Sequence, residues 1–194
     1  MSKWTFVLVL LLGLQGQPGA SFEVGIWPGE GRPVIGAAAS RVSLREFASG
    51  TSRTVFTLDV QPGQRMAFDD TKYVTSKPGR LRALRSATVS GRLLGNTTSL
   101  SRDDYYSGRF RLGSVSLAAG SDIEYLQDRA EGTCFVRVNG DAIDADPCPT
   151  LDSTSFGIEA APIVEWWVHI VAAAGPAGWA QVTDSTVKVI DREF

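Results

Sequence analysis

The residues of this chain whose types and spacing could do chemistry are few: two cysteines, Cys134 and Cys148, one histidine, His169, and a scatter of carboxylates that includes the adjacent pair Asp103 and Asp104. A redox-active cysteine pair normally has CxxC spacing, and a metal centre needs more ligands than one histidine can add to two thiols. The two cysteines therefore read as a structural disulfide, which suits a protein that reaches an oxidising space. Closing a loop of about 15 residues is worth about 3 kcal/mol in the chain-entropy account. His169 lies mid-strand between Val168 and Ile170 and reads as structural or solvent-facing. Neighbouring carboxylates such as Asp103 and Asp104 point in different directions, so a helix-start or loop role is expected. No GxSxG, HExxH, Walker or dinucleotide-binding glycine pattern occurs. The expectation is no catalytic residue, no cofactor and no metal. A hydrolase acting on the cell wall through a pair of distant carboxylates is the rival from another class.

Recognition is the other chemistry the chain offers. Trp166, Trp167 and Trp179 concentrate aromatic surface near the C-terminus. Alternation along a strand sends Trp166 and Trp167 to opposite faces, one toward a core and the other outward or into a groove. Packing is favoured over ligand contact for any one of them, because burial removes a large apolar area from water. The stretch from Thr71 to Ser101 carries Lys72, Lys77, Arg80, Arg82, Arg85 and Arg92 with no acidic residue among them. Arg80 and Arg82 alternate with Leu81 and Ala83, placing both charges on one strand face. The plain reading is a solvated face. The sharper one is a basic patch for an anionic envelope partner, with salt-sensitive binding.

Compartment follows from the first twenty residues. Lys3 precedes an uncharged run from Trp4 to Leu14, and Gln15 to Gly19 leads to a small residue at Ala20. That is the layout of a secretory signal peptide, and eleven apolar residues fall short of the roughly 20 that a membrane span needs. Cleavage is expected near Ala20, with no lipid anchor, no stable membrane span afterwards and a periplasmic or secreted destination. The chain has 19 Lys and Arg against 21 Asp and Glu; losing Lys3 with the leader leaves 18 against 21. This mild acidity argues against nucleic acid as a partner.

The elements that must hold these residues are short. Runs such as Val42 to Phe47, Val55 to Val60 and Arg65 to Phe68 alternate in polarity and are separated by Gly and Pro turns. Such spacing predicts an all-β protein. Asn139-Gly140 predicts a two-residue hairpin turn, and a turn of helix capped by Ser101 is expected within a polar stretch at 95–113. The expected layout is a signal peptide at 1–20, a first β module at 21–94, a linker at 95–113 and a second β module with the disulfide hairpin at 114–194.

Trp166 to Val171, a small-residue turn and then Gly178-Trp179-Ala180-Gln181-Val182 resemble the closing strands of bacterial SH3-like domains. Val42 to Phe68 is similar to the first half of the same family. The resemblance implies two small SH3-like β-barrels in tandem. It also implies a non-catalytic binding or accessory role in the bacterial cell envelope, toward a cell-wall component or a protein. The aromatic concentration and the basic strand face make Trp166, Trp167, Trp179, Arg80 and Arg82 the candidate contact residues.

Overall fold

The structure is a computed structural model that describes residues 21–26, 31–172 and 175–193. The expected leader at 1–20 lies outside the described residues.

The chain is all-β, as the alternation predicts. Its first part forms β1 (Phe22–Val24), β2 (Arg32–Ala37), β3 (Arg41–Arg45), β4 (Thr54–Asp59), β5 (Arg65–Met66) and β6 (Phe68–Lys77). The middle forms β7 (Gly79–Ala83), β8 (Ala87–Gly95), β9 (Ser99–Leu100), a one-turn helix α1 (Arg102–Tyr106), β10 (Arg111–Leu117), β11 (Asp122–Asp128), β12 (Cys134–Val138), β13 (Asp141–Ala145) and β14 (Phe156–Ala160). The end returns as β15 (Ile163–Val171), β16 (Ala177–Gln181) and β17 (Val187–Glu193).

These strands build three sheets. The first runs β4-β3-β16-β15-β6-β1-β9, the second β10-β8-β13-β12-β11-β7-β14 and the third β17-β2-β5. No sheet closes as a barrel among the described residues. Two of the chain's passages between the first and second sheets run side by side as a paired ribbon. β6 leaves the first sheet past Pro78 and becomes β7 of the second, while β14 leaves the second past Ala161 and Pro162 and becomes β15 of the first. The two strands stay paired through the passage, with Lys77 opposite Ile163 and Arg80 opposite Ala160. Pro78 and Pro162 have no N–H to give, so the ladder is interrupted where the ribbon bends.

Pairing consequently joins segments from both sides of the stretch expected as a linker. β15 lies between β16 and β6, and the second sheet is made wholly of residues from 79 to 160. The 95–113 segment itself supplies β9, α1 and the start of β10. Ser101 caps α1 as expected, its hydroxyl accepting from the Asp104 N–H at 3.1 Å.

Alternation decides what each sheet buries. Ile35, Met66 and Val187 of the third sheet pack on Leu44, Phe68, Val168 and Ile170 of the first. In the second sheet, Cys134, Val136 and Val138 of β12 join Leu81, Ile123, Ile143 and Phe156 on one face. Phe135, between them, turns to the other face and packs with Phe22, Leu94, Leu100, Tyr105 and Leu126. That second cluster ties β1, β9 and α1 onto the back of the second sheet.

The Asn139-Gly140 hairpin is present. Both residues have positive φ, 52° and 91°, and Val138 pairs with Asp141. Cys134 stands opposite Ala145, so the bridge reaches past the strand end to Cys148, with Cα atoms 5.1 Å apart. A disulfide is compatible with an extracellular or otherwise oxidising compartment. Among the described residues, no helix is long and apolar enough to cross a membrane.

Candidate functional site

An open cleft of about 380 Å³ lies where β8, β11, β12 and β13 meet α1 and the chain just beyond β1. Its polar wall is built around Tyr105. Ser101 nucleates a single turn of helix, and the 100° between successive residues buries Tyr105 while leaving Tyr106 exposed. Arg129 donates from Nη1 to the Tyr105 hydroxyl at 2.7 Å and to Asp144 Oδ1 at 2.9 Å. Arg92 donates to the Tyr105 carbonyl at 2.9 Å. Both guanidinium carbons lie over the Tyr105 ring, at 4.5 Å for Arg92 and 4.8 Å for Arg129. Such placement adds cation–π attraction to the hydrogen bonds.

The charges are held by neighbouring strands. Arg92 on β8 stands opposite Asp144 on β13, and Asp144 is 7% exposed. Burial by itself lowers the Arg129 pKa, but the Asp144 carboxylate and the Tyr105 hydroxyl more than offset it and hold the guanidinium above its usual value. A carboxylate this enclosed is tolerated because it is both paired and hydrogen-bonded.

The rim is set by the turn between β11 and β12. Arg129 N–H donates to the Thr133 carbonyl at 3.0 Å, Glu131 and Gly132 take positive φ, and the Cys148 N–H closes on the Gly132 carbonyl at 2.8 Å. The disulfide thus anchors the turn that carries Arg129 and Glu131. Gln127, Asp128 and Asp146 complete the polar lining, with Leu112 of β10 and Tyr106 at the edge.

The residues singled out from sequence lie elsewhere. Trp167 is 1% exposed and Trp179 is 9% exposed; they pack together with Val74 and Ala48 on the outer face of the first sheet. Trp166 turns inward, stacks on Tyr73 with centroids 5.4 Å apart and donates to the Thr71 hydroxyl. The expected alternation of Trp166 and Trp167 is present, but a loop through Ala48 covers the outward one. Arg80 and Arg82 are exposed and share Glu159 of β14, at 3.8 and 3.4 Å. The acidic partner absent from their own stretch arrives from a strand 77 residues later. Ion pairs this exposed contribute little to stability.

His169 lies 2.7 Å from Asp69 Oδ1, and Asp104 pairs with Arg109 at 2.9 Å. Among the described residues, no three His, Cys, Asp or Glu side chains are placed to hold a metal ion. Sequence reasoning missed Gln127, Arg129 and Asp144. The signal that could have found them is Asp144 itself, a carboxylate set within the otherwise apolar run Ala142-Ile143-Asp144-Ala145. Comparison of the chain with protein-family models, curated proteins and solved structures finds no match.

Proposed function

We propose that the chain is an exported, non-catalytic binding or accessory module of a bacterial cell envelope, and that the cleft around Tyr105 is its recognition site. The observation that carries this reading is the state of the charged groups in the cleft. Arg129, Asp144 and Tyr105 engage one another in fixed geometry, forming a preorganised polar wall that a ligand meets without reordering long side chains. The disulfide and the leader-like N-terminus suit a destination outside the cytosol.

In its finer form the reading relates the sheets to SH3-like modules through Gly178-Trp179-Ala180-Gln181-Val182. In that form the Trp179 strand is part of the scaffold, since Trp179 packs instead of facing solvent. The test is co-sedimentation of the purified protein with isolated envelopes of the source cells. Binding that falls at least tenfold with Arg92→Ala is expected. Equal sedimentation of wild type and variant removes the cleft from the reading, and a cleared band on cell-wall zymography replaces it with the hydrolase.

A further inference from the structure

We infer that the cleft takes a neutral, polyhydroxylated ligand, a short glycan segment, with Arg92, Gln127 and Tyr106 as its principal contacts. This deepens the binding-module reading and rests on it.

The wall carries both signs of charge. Arg92 and Arg129 stand among Asp128, Glu131, Asp144 and Asp146, and Arg129 neutralises Asp144. A compact anion entering the cleft meets three further carboxylates. A compact cation meets two guanidinium groups and finds no converging set of three ligands. Hydroxyl groups meet neither obstacle, because each donates to a carboxylate or amide oxygen and accepts from a guanidinium N–H.

Two groups in the wall point to such a ligand independently of the charge pattern. Gln127 is 7% exposed, and its Oε1 is enclosed with no hydrogen-bond partner. Buried polar atoms are nearly always satisfied, so an orphan amide beside a cleft marks a missing donor. The terminal amide torsion of glutamine is broad, which lets the oxygen swing toward a donor in the cleft. Arg92, for its part, uses one hydrogen bond on the Tyr105 carbonyl, and a guanidinium has five N–H groups to offer. An apolar ligand would leave both groups unsatisfied.

The rim supplies the remaining half of sugar recognition. Tyr106 is 70% exposed and stands edge-on to Tyr105, with centroids 5.0 Å apart. Leu112 beside it is 84% exposed. A sugar ring has an apolar C–H face as well as its hydroxyls, and an exposed, positioned aromatic ring at the mouth of a polar cleft matches that two-sidedness. A volume of about 380 Å³ suits a small ligand.

The test is a backbone-amide NMR titration of the intact protein with neutral trisaccharides of glucose, mannose, galactose and N-acetylglucosamine. Trigalacturonate and spermidine serve as the anionic and cationic comparators. The expected result is saturable shifts at Tyr106, Gln127 and Arg129 with at least one neutral trisaccharide, insensitive to salt. Tyr106→Ala is expected to weaken that binding at least tenfold while leaving the thermal midpoint unchanged, since the ring is exposed. Saturation by the charged comparators only, by no trisaccharide at all, or with equal affinity in Tyr106→Ala overturns the inference. If sugars fail while Arg92-dependent envelope binding persists, the ligand class alone is wrong; loss of both removes the binding module with it.

Discussion

Gly79 and Ala160 pass one another where the paired ribbon leaves one sheet for the other, and no side chain fits between them. A Cβ added at Gly79 would collide with the Ala160 carbonyl oxygen and lie 2.7 Å from the Pro162 nitrogen. Both obstacles are backbone, so relief requires moving the crossing that joins the two halves of the molecule. Gly79→Ala is expected to lower stability by about 2 to 3 kcal/mol, as overpacking against backbone does. Gly50, with nothing within 4 Å of its added Cβ, is the control, and Gly50→Ala should change stability by less than about 0.5 kcal/mol. Urea denaturation of the two variants beside the wild type measures the difference; equal midpoints would show that the crossing is not held as described.

Trp167 offers a second check on how the first sheet is built. Its ring is almost fully enclosed by Val74, Ala48 and Trp179, and its Nε1 donates to Glu165 at 3.0 Å. Truncation leaves a large cavity against Val74, Ala48 and Trp179. Trp167→Ala is expected to cost about 3 to 5 kcal/mol. None of these residues lines the cleft, so any variant protein that remains folded should still bind. A stable Trp167→Ala protein that has lost its partner would return the residue to the role of contact platform.

Much of this architecture was legible in the chain because it is local. The Asn139-Gly140 turn, the Ser101 cap, the reach from Cys134 to Cys148 and the opposed faces of Trp166 and Trp167 each follow from a few consecutive residues. The strand order was not legible, because it is not local. Nothing between Phe68 and Ala83 states that Ile163 to Val171 will return to pair with β6, so two successive modules were the economical expectation. The cleft was hidden for the same reason. Arg92, Tyr105, Arg129 and Asp144 come from four elements, and only the second sheet's order places β8 beside β13. The basic run around Arg80 looked unpaired until Glu159 arrived from β14.

Tyr73 gives a prediction with a pH dependence. Its hydroxyl is buried without a hydrogen-bond partner, and the ring stacks on Trp166. Burial drives its pKa far above the ordinary tyrosine value, opposed only in part by the Arg192 charge. A pKa raised in the folded state means that the neutral form is the one the fold accepts. The corresponding stability is fully present below the unfolded value of about 10 and is lost as pH rises beyond it. Tyr73→Phe removes the orphan hydroxyl and the ionisation together. It should raise stability by about 1 kcal/mol near pH 7 and widen its advantage over wild type near pH 11. Denaturation curves at the two pH values test this, and an advantage that shrinks at alkaline pH would refute it. Tyr125, likewise raised by burial and by Asp128, remains in both proteins, so the alkaline loss should be reduced and not abolished.

The Cys134–Cys148 bridge couples stability to the cleft. It closes a loop with a sequence separation of 14, which is worth about 3 kcal/mol through the unfolded state. Both cysteines are buried, at 0% and 2% exposed, so reductant should act slowly unless the protein is partly unfolded. The bridge also sits against the Ala130–Gly132 turn, whose Gly132 carbonyl accepts from the Cys148 N–H. Replacing both cysteines by serine should lower the denaturation free energy by about 3 kcal/mol. Amide exchange should quicken first at Arg129 to Thr133, before it quickens in β15 or β16. Exchange that accelerates evenly across the molecule would mean that the disulfide braces the whole fold and has no special hold on the rim carrying Arg129 and Glu131.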